Sequence, residues 1–427
     1  MLCGGCCEIF SAADKLSINV VLLVIPMKVL IISNYFYPVN KIGALRINAF
    51  AKYFHLAGHS VTVLTEGEKD ECVQWGGCQV HYVKDPVMTD AYLWRSISER
   101  KRWLPRRIAA SLLRRVFLDE KRIWQVKAFK KARELFRQNV FDVVLSSFFP
   151  LAPHLIAMKL RNSGFRFYWI ADMRDEMSKS PFISSNYAMR LKLHERKIVC
   201  RADLVTSVSK PILDDFRSLG CHDGFLEVRN GYDYEEVHDV NFQTCFTMAY
   251  TGSFYGSIKP DNWFKAFSEL ISEGMLPPDS VIKIVGNYSN LNVPQSILAN
   301  VVLLKPVPHE EALRISIMET DVLVMVHPLG RKGVYSGKLF DYLATNKPIL
   351  ALCDTDDVIA ELLKYTGAGF VACESDIGDI KRAIIKCYLL WKNKEVLPRN
   401  WDRISQNSRR SQTQILIDYL SAQNILM

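Results

Sequence analysis

The stretch Tyr335–Leu352, YSGKLFDYLATNKPILAL, reads as a short helix, a tight stop and a buried strand. Ser336 takes the N-cap, and Leu339, Phe340 and Leu343 give the helix one apolar face. Asn346 takes the left-handed conformation that closes it, and Pro348 starts the strand Ile349 to Leu352. This is the grammar of an α/β domain. Lys338 is out of place in it, because a helix N-terminus carries roughly half a positive charge and disfavours a cation. A bound phosphate, held by the first-turn N–H groups and the Lys338 ammonium, would remove the conflict. The alternative is a surface ion pair between Lys338 and Asp341, three residues on, worth about 0.2–0.5 kcal/mol.

Outward from this stretch the same alternation fills the chain. At 427 residues, two domains are expected. Residues 1–26 read as a loosely ordered extension ahead of Met27, Lys28 and the buried strand Val29–Ser33. Residues 27–233 form a first Rossmann-like unit, with a loop from Asn34 leading into a helix that Gly43 opens and Arg46 follows one turn in. Gly43 is the only glycine of that turn, so this is no dinucleotide-binding fingerprint. A strand ends in Ser146 and Ser147, and another empties into Asp172, Met173, Arg174, Asp175. Ligands of open α/β sheets sit at such carboxyl ends, so these charges are candidates for a site, the alternative being a loop-stabilising Asp–Arg pair. Residues 234–400 form the second unit. Its strands, at Thr247–Thr251, Val281–Val285, Val301–Leu304, Val322–Val326, Ile349–Leu352 and Phe370–Ala372, are short, apolar and without clean alternation, as expected of parallel strands covered on both faces. Residues 401–427 read as an amphipathic helix packing back across the hinge at Asn230–Asp233. The fold class is therefore α/β, with two doubly wound Rossmann-like domains facing each other across a cleft.

Hydrophobic residues make up 49% of the chain and charged ones 23%, an ordinary globular mixture. Apolar runs such as Val20–Pro26 fall well short of the roughly 18–20 residues needed to span a bilayer. The net charge of +9 is concentrated: Arg95–Arg137 holds 15 Lys or Arg against four acids. Trp94, Trp103, Leu104, Ile108, Leu112, Leu113, Val116 and Phe117 lie within or just before this run. The mixture fits a helix on an anionic membrane surface. A solvated helical face over a core is the second reading. Nucleic acid is the third, and no nucleic-acid motif accompanies the charge. Of eleven scattered cysteines, many lie inside apolar strands or helices, Cys200, Cys245, Cys353, Cys373 and Cys387 among them, and read as small buried hydrophobes of a reducing compartment. Cys3, Cys6 and Cys7 sit close enough for a metal but lack a second ligand pair, Cys72 and Cys78 have no zinc spacing, and no metal site is expected.

Taken together, NYFYPVNKIGALRINAFAKYFHLAGHSVTVLT from Asn34, DMRDEM from Asp172, RADLVTSVSKPILDDF from Arg201, RNGYD from Arg229, YTGSFYGSIKP from Tyr250 and YSGKLFDYLATNKPILAL resemble the GT-B glycosyltransferases. The resemblance is to the family 4 group of bacterial surface polysaccharide and capsule synthesis, and it covers Met27 to the C-terminus. It implies that Asp341 stands for the second Glu of that family's Glu-x7-Glu motif and holds ribose hydroxyls. Lys338 and Lys259 would contact the donor diphosphate, with Gly43, Arg46, Gly252, Ser336 and Leu339 around it and Val307 beside the base. Asp172 and Asp175 would face the acceptor and the sugar, with Arg174 and Ser147 on the acceptor side. Three departures stand out: Gly333 for the motif's first Glu, Ser253 for a diphosphate-binding Arg, and Ser147 for an active-site His.

The resemblance further implies transfer of a sugar from a nucleotide-sugar donor to a saccharide or lipid-linked acceptor, with retained configuration and without cofactor or metal. It implies a cytoplasmic enzyme peripheral to the inner face of the membrane. The alternatives are a nucleotide-sugar epimerase and a non-catalytic subunit of an assembly complex.

Overall fold

The computed structural model describes residues 26–39, 42–85, 111–113, 116–181, 183–254, 258–288, 291–330 and 333–423. Two sheets organise them. The first has eight strands: β1 (Lys28–Ile32), β2 (Ser60–Gly67), β3 (Glu71–Trp75), β4 (Cys78–Lys84), β5 (Val143–Ser147), β6 (Tyr168–Asp172), β7 (Leu204–Ser207) and β8 (Phe225–Glu227), in the order β3-β4-β2-β1-β5-β6-β7-β8. The second has six: β9 (Thr247–Thr251), β10 (Val281–Val285), β11 (Val301–Leu304), β12 (Val322–Val326), β13 (Ile349–Cys353) and β14 (Gly369–Cys373), in the order β11-β10-β9-β12-β13-β14. All pairings are parallel except β3 with β4. In each sheet the chain reverses its direction of winding beside the first strand, β1 or β9. This is the doubly wound pattern expected, and it leaves a crevice at each switch point.

The central strands form where apolar runs are buried on both faces, whereas the edge strands β3 and β11 are largely exposed, so the expected cover on both faces does not extend to Val301–Leu304. Val322–Val326 and Ile349–Cys353 are buried throughout, with Leu323 set against Ile349 and Val326 against Leu352. Helices cover both faces. Those used below are α1 (Ile42–Leu56), α2 (Arg122–Gln138), α3 (Ala152–Asn162), α4 (Ser185–Val199), α5 (Lys210–Arg217), α6 (Asp261–Ser272), α7 (His309–Met318), α8 (Gly337–Leu343), α9 (Val358–Thr366), α10 (Ile377–Asn393), α11 (Trp401–Ser405) and α12 (Arg409–Ala422). On α1, Ile47, Phe50, Ala51 and Phe54 recur at helical spacing and are buried against the first sheet. Leu416, Ile417 and Leu420 of α12 join the same core cluster, so the last helix completes the first half of the molecule.

Four sequence expectations are corrected here. The strand β3 was not anticipated, although the Gly76-Gly77 pair between Trp75 and Cys78 is a strong two-residue hairpin signal. Asn346 does not close α8: the helix ends earlier, at Ala344 with φ −77°, and Asn346 Nδ2 instead binds the carbonyl of His238. Cys200 is an exposed residue paired with Cys221 in a disulfide, at a Cα–Cα distance of 4.9 Å. It ties the end of α4 to the turn after α5. The tail beyond residue 400 is two helices, α11 and α12, rather than one.

The basic region divides. Residues 86–110, with Trp94, Trp103, Leu104 and Ile108, lie outside the described residues, as do residues 1–25 with Cys3, Cys6 and Cys7. Within α2, Trp124, Ala128, Ala132 and Leu135 are buried in the first core, so this part is a solvated face over a core. No helix among the described residues is long and apolar enough to cross a membrane.

Candidate active site

A cleft of about 340 Å³ opens between the start of α1 and the carboxyl ends of the second sheet. Its second-half wall is built from the loops after three neighbouring strands: Gly252 after β9, Gly286 after β10, Pro306 and Val307 after β11. Lys338 and Asp341 of α8 and His309 of α7 complete that wall. Leu45 and Arg46 of α1, Asn230 and Gly231 of the connection, and Arg409 of α12 face them.

Lys338 is the central cation. Its Nζ donates to Tyr250 Oη at 2.6 Å and lies 4.0 Å from the centre of the Tyr250 ring. Burial pushes its pKa down to about 8. The cause is desolvation, since α8 is only seven residues long and contributes a short dipole. Gly252 makes room for the side chain: a Cβ there would stand 2.3 Å from Lys338 Cε, and the residue has φ +130°. Lys338 and Asp341 do not pair. The Asp341 carboxylate accepts from His309 Nε2 at 2.9 Å, and this hydrogen bond raises the His309 pKa against the effect of burial.

Behind the cleft, Arg46 and Asp172 form a buried pair, Nη2 to Oδ1 at 2.8 Å, with side-chain exposures of 4% and 0%. Ser147 Oγ and Thr206 Oγ1 each donate to Asp172 at 2.8 Å. Burial alone would raise the Asp172 pKa, but the Arg46 charge and these hydrogen bonds outweigh it and hold the carboxyl below the usual range. Arg46 Nη1 also reaches the carbonyl of Arg229 at 2.9 Å. Removing one partner of such a pair costs about 3–5 kcal/mol, because the other charge is left buried. Asp172, Ser147 and Arg46 are therefore brought together, as a strut that fixes α1 against β6 and the connection.

The other sequence candidates are distributed differently. Gly43 lies under Arg174: a Cβ would meet the guanidinium carbon at 2.4 Å. Arg174 Nε donates to the carbonyl of Phe148, and Asp175 is exposed with an oxygen 3.7 Å from that nitrogen. Lys259 is exposed and does not line the cleft, and Leu339 is fully buried in the second core. Ser336 holds the N-cap position of α8 without a side-chain hydrogen bond to the helix. Gly252, Val307, Arg46, Lys338 and Asp341 thus share one cavity, and the remaining candidates do not line it.

Two cleft residues escaped the sequence reading. His309 opens α7 and Arg409 opens α12, and neither sits in a pattern that marks it. Arg409 is anchored by its main-chain N–H on the Tyr232 carbonyl at 2.8 Å. Burial lowers its pKa while Asp341 and Asp233 oppose the shift, so it reaches the cleft close to two carboxylates. Among the described residues no group of three or more His, Cys, Asp or Glu is placed to hold a metal.

No family model and no curated relative matches the chain. Solved structures do. A trehalose 6-phosphate synthase from Burkholderia multivorans superposes with TM-score 0.60 at 11% identity, over 93% of this chain and 99% of that one. The fold is GT-B. The lipopolysaccharide outer core galactosyltransferase WaaB matches with TM-score 0.56 at 12% identity over 93% and 100% of the two chains. Sucrose-phosphate synthase of Thermosynechococcus elongatus matches with TM-score 0.57 at 13% identity over 93% and 97%. The GT-B likeness therefore runs through both sheets, and the cleft lies between the halves that define that fold.

Proposed function

We propose that the protein is a glycosyltransferase that takes a sugar from a nucleotide-sugar donor bound in the cleft and passes it to a saccharide acceptor, with retained configuration and without a metal. The observation that carries this reading is Lys338. A half-buried, desolvated ammonium with Tyr250 Oη as its hydrogen-bonding partner costs free energy in the empty protein and becomes favourable beside an anion. Breaking a sugar–phosphate bond develops negative charge on the departing diphosphate, which fixed cations stabilise. Lys338 and Arg409 are the cations that line the cleft outside the Arg46–Asp172 strut. Asp341 would receive the ribose hydroxyls in place of His309, and Pro306 and Val307 would flank the base. The neighbouring structures support the class by name: a galactosyltransferase and two synthases of phosphorylated disaccharides.

We also propose that the acceptor is carried on an anionic membrane, inside a cell that builds surface polysaccharide. Support comes from Leu112, Val116 and Phe117, which are exposed in the basic region, and from Met189 and Leu193 of α4, both 66% exposed. The two segments are joined: Arg190 Nη2 donates to the Val116 carbonyl at 3.0 Å and Tyr187 Oη to that of Leu118 at 2.7 Å.

A non-catalytic subunit is the second reading, favoured by Gly333 and Ser147. Gly333 has no room for the carboxylate the resemblance places there, and the Ser147 hydroxyl is engaged by Asp172. Thermal stabilisation against UDP, GDP, ADP and CMP sugars, with and without magnesium, separates the two. A metal-independent rise with one nucleotide, lost in Lys338→Ala and Asp341→Ala, supports the donor site. No shift with any donor moves the reading to the subunit.

A further inference from the structure

The molecule has a second, larger cavity, of about 650 Å³, beside the same connection. Glu227 and Arg229 line it, whereas the next two residues, Asn230 and Gly231, line the cleft. The rest of its wall comes from Tyr335, from α9, from the segment joining α11 to α12, and from Gln412 and Ile415 of α12. Its size is that of an ordinary small-molecule site.

The lining decides what it would take. Its single cation is already engaged: Arg229 Nε donates to Glu227 Oε1 at 2.7 Å, and the guanidinium lies 5.6 Å from the centre of the Tyr335 ring. Glu361 adds an exposed carboxylate with no ion-pair partner among the described residues. A phosphate or nucleotide would meet net negative charge here, so anions are disfavoured. What remains is a mixture of donors and acceptors. Tyr335 is 7% exposed, and its hydroxyl meets no hydrogen-bond partner among the described residues. Its oxygen is not fully buried, so water satisfies it in the empty cavity, and a ligand hydroxyl would take that water's place. Glu361 accepts, and Gln406 both donates and accepts. Tyr365 is 44% exposed; one face of its ring is taken by the Arg403 guanidinium, 4.3 Å from its centre, and its hydroxyl donates to Gln406 Oε1 at 3.5 Å, so the remaining exposed ring surface is what it offers a ligand. Aromatic faces beside carboxylate, amide and phenol groups match the apolar face and hydroxyl edge of a sugar ring.

We infer that this cavity is a binding site for a neutral saccharide, distinct from the donor cleft. It does not depend on the donor reading. It touches the cleft through one residue, because the Arg229 carbonyl accepts from Arg46 while the Arg229 side chain faces the second cavity.

The test is saturation-transfer NMR of the full chain with glucose, galactose, N-acetylglucosamine, maltose and lactose as probes. At least one probe should give a signal that falls several-fold in Tyr365→Ala and in Glu361→Gln. Both residues are exposed, so folding should survive, as melting curves would verify. The signal should persist in Lys338→Ala and in the presence of excess UDP. Absence of signal from every probe overturns the inference. So does a signal abolished by Lys338→Ala and untouched by Tyr365→Ala, since that sugar sits in the cleft. Loss of nucleotide binding in the thermal assay with retained saccharide signal would sink the donor reading alone.

Discussion

At the scale of the residue, Lys338 carries the functional argument and also a stability cost. Its folded pKa is about 8 against the ordinary 10.5. Between those values the unfolded chain holds more protons, so the stability of the empty protein rises with pH across that window, and below it the full cost of the buried charge is present. Replacing Lys338 by Met should therefore stabilise the empty protein at pH 7 by on the order of 1–3 kcal/mol, measured by urea unfolding. Tyr250 keeps a partner in that variant, because its hydroxyl also donates to the Ser253 carbonyl at 3.2 Å. The same variant should lose nucleotide binding, and in the native protein that binding should weaken as pH rises through about 8. A destabilised Lys338→Met variant would show that the ammonium is a structural group. Lys338 stands out in the sequence by its place in the first turn of α8, but what lowers its pKa is desolvation by the surrounding fold, which the local sequence does not record. Asp172 was not legible: its role is set by Arg46, 126 residues away, which turns a suspected ligand group into the counter-ion of a strut. His309 and Arg409 were invisible for the same reason, since nothing near them in sequence records the approach of α7 and α12 to Asp341.

At the scale of the element, the strands of the second sheet were read almost to the residue. Thr247–Thr251, Val281–Val285, Val301–Leu304 and Val322–Val326 fall as expected; burial on both faces accounts for the central strands, whereas the edge strand β11 leaves Val302 and Leu303 exposed. Helix ends were less legible, as at Asn346, because capping depends on partners elsewhere. The basic region shows why charge counting alone is ambiguous. Helix α2 turns Trp124, Ala128, Ala132 and Leu135 into the core, yet its Ile123 and Val126, together with Val116 at 61% and Phe117 at 46%, remain exposed, as do Met189 and Leu193. Lys192, Arg196 and Lys197 share α4 with those last two. Co-sedimentation with vesicles containing phosphatidylserine should show binding that falls as salt rises, because exposed charges are screened beyond about 10 Å at 0.1 M. Met189→Ser combined with Leu193→Ser should lower it at least tenfold, each buried apolar side chain being worth about 1.5–3 kcal/mol. Equal binding to neutral vesicles would remove the anionic surface from the proposal, and no vesicle binding, or binding indifferent to the double change, would remove this face as the membrane contact.

At the scale of the whole molecule, the two halves meet at Gly333. Its carbonyl accepts from Ser209 Oγ at the start of α5, its N–H donates to Asp357 Oδ1 at 2.7 Å, and a Cβ would stand 2.7 Å from Pro211 Cβ. Its φ of +81° is in the left-handed region that favours glycine. The position that the resemblance assigns to a donor-contacting Glu is thus used here as a close contact between the halves. Closure of two such halves around a donor excludes water and brings the acceptor side to the reacting carbon. Restoring the carboxylate should consequently harm the protein. Gly333→Glu combines a strained backbone with a clash against Pro211, and should cost about 1–3 kcal/mol in unfolding free energy. It should also weaken nucleotide binding, read by thermal shift, through displacement of α5 from the second half. Gly333→Ala separates the causes, because it brings the same clash and strain without the charge, and should lose nearly as much stability. If Gly333→Glu instead folds at native stability and gains transfer activity, the halves work in a different relative position from the one seen here. Gly333 would then be a missing catalytic group rather than a hinge contact.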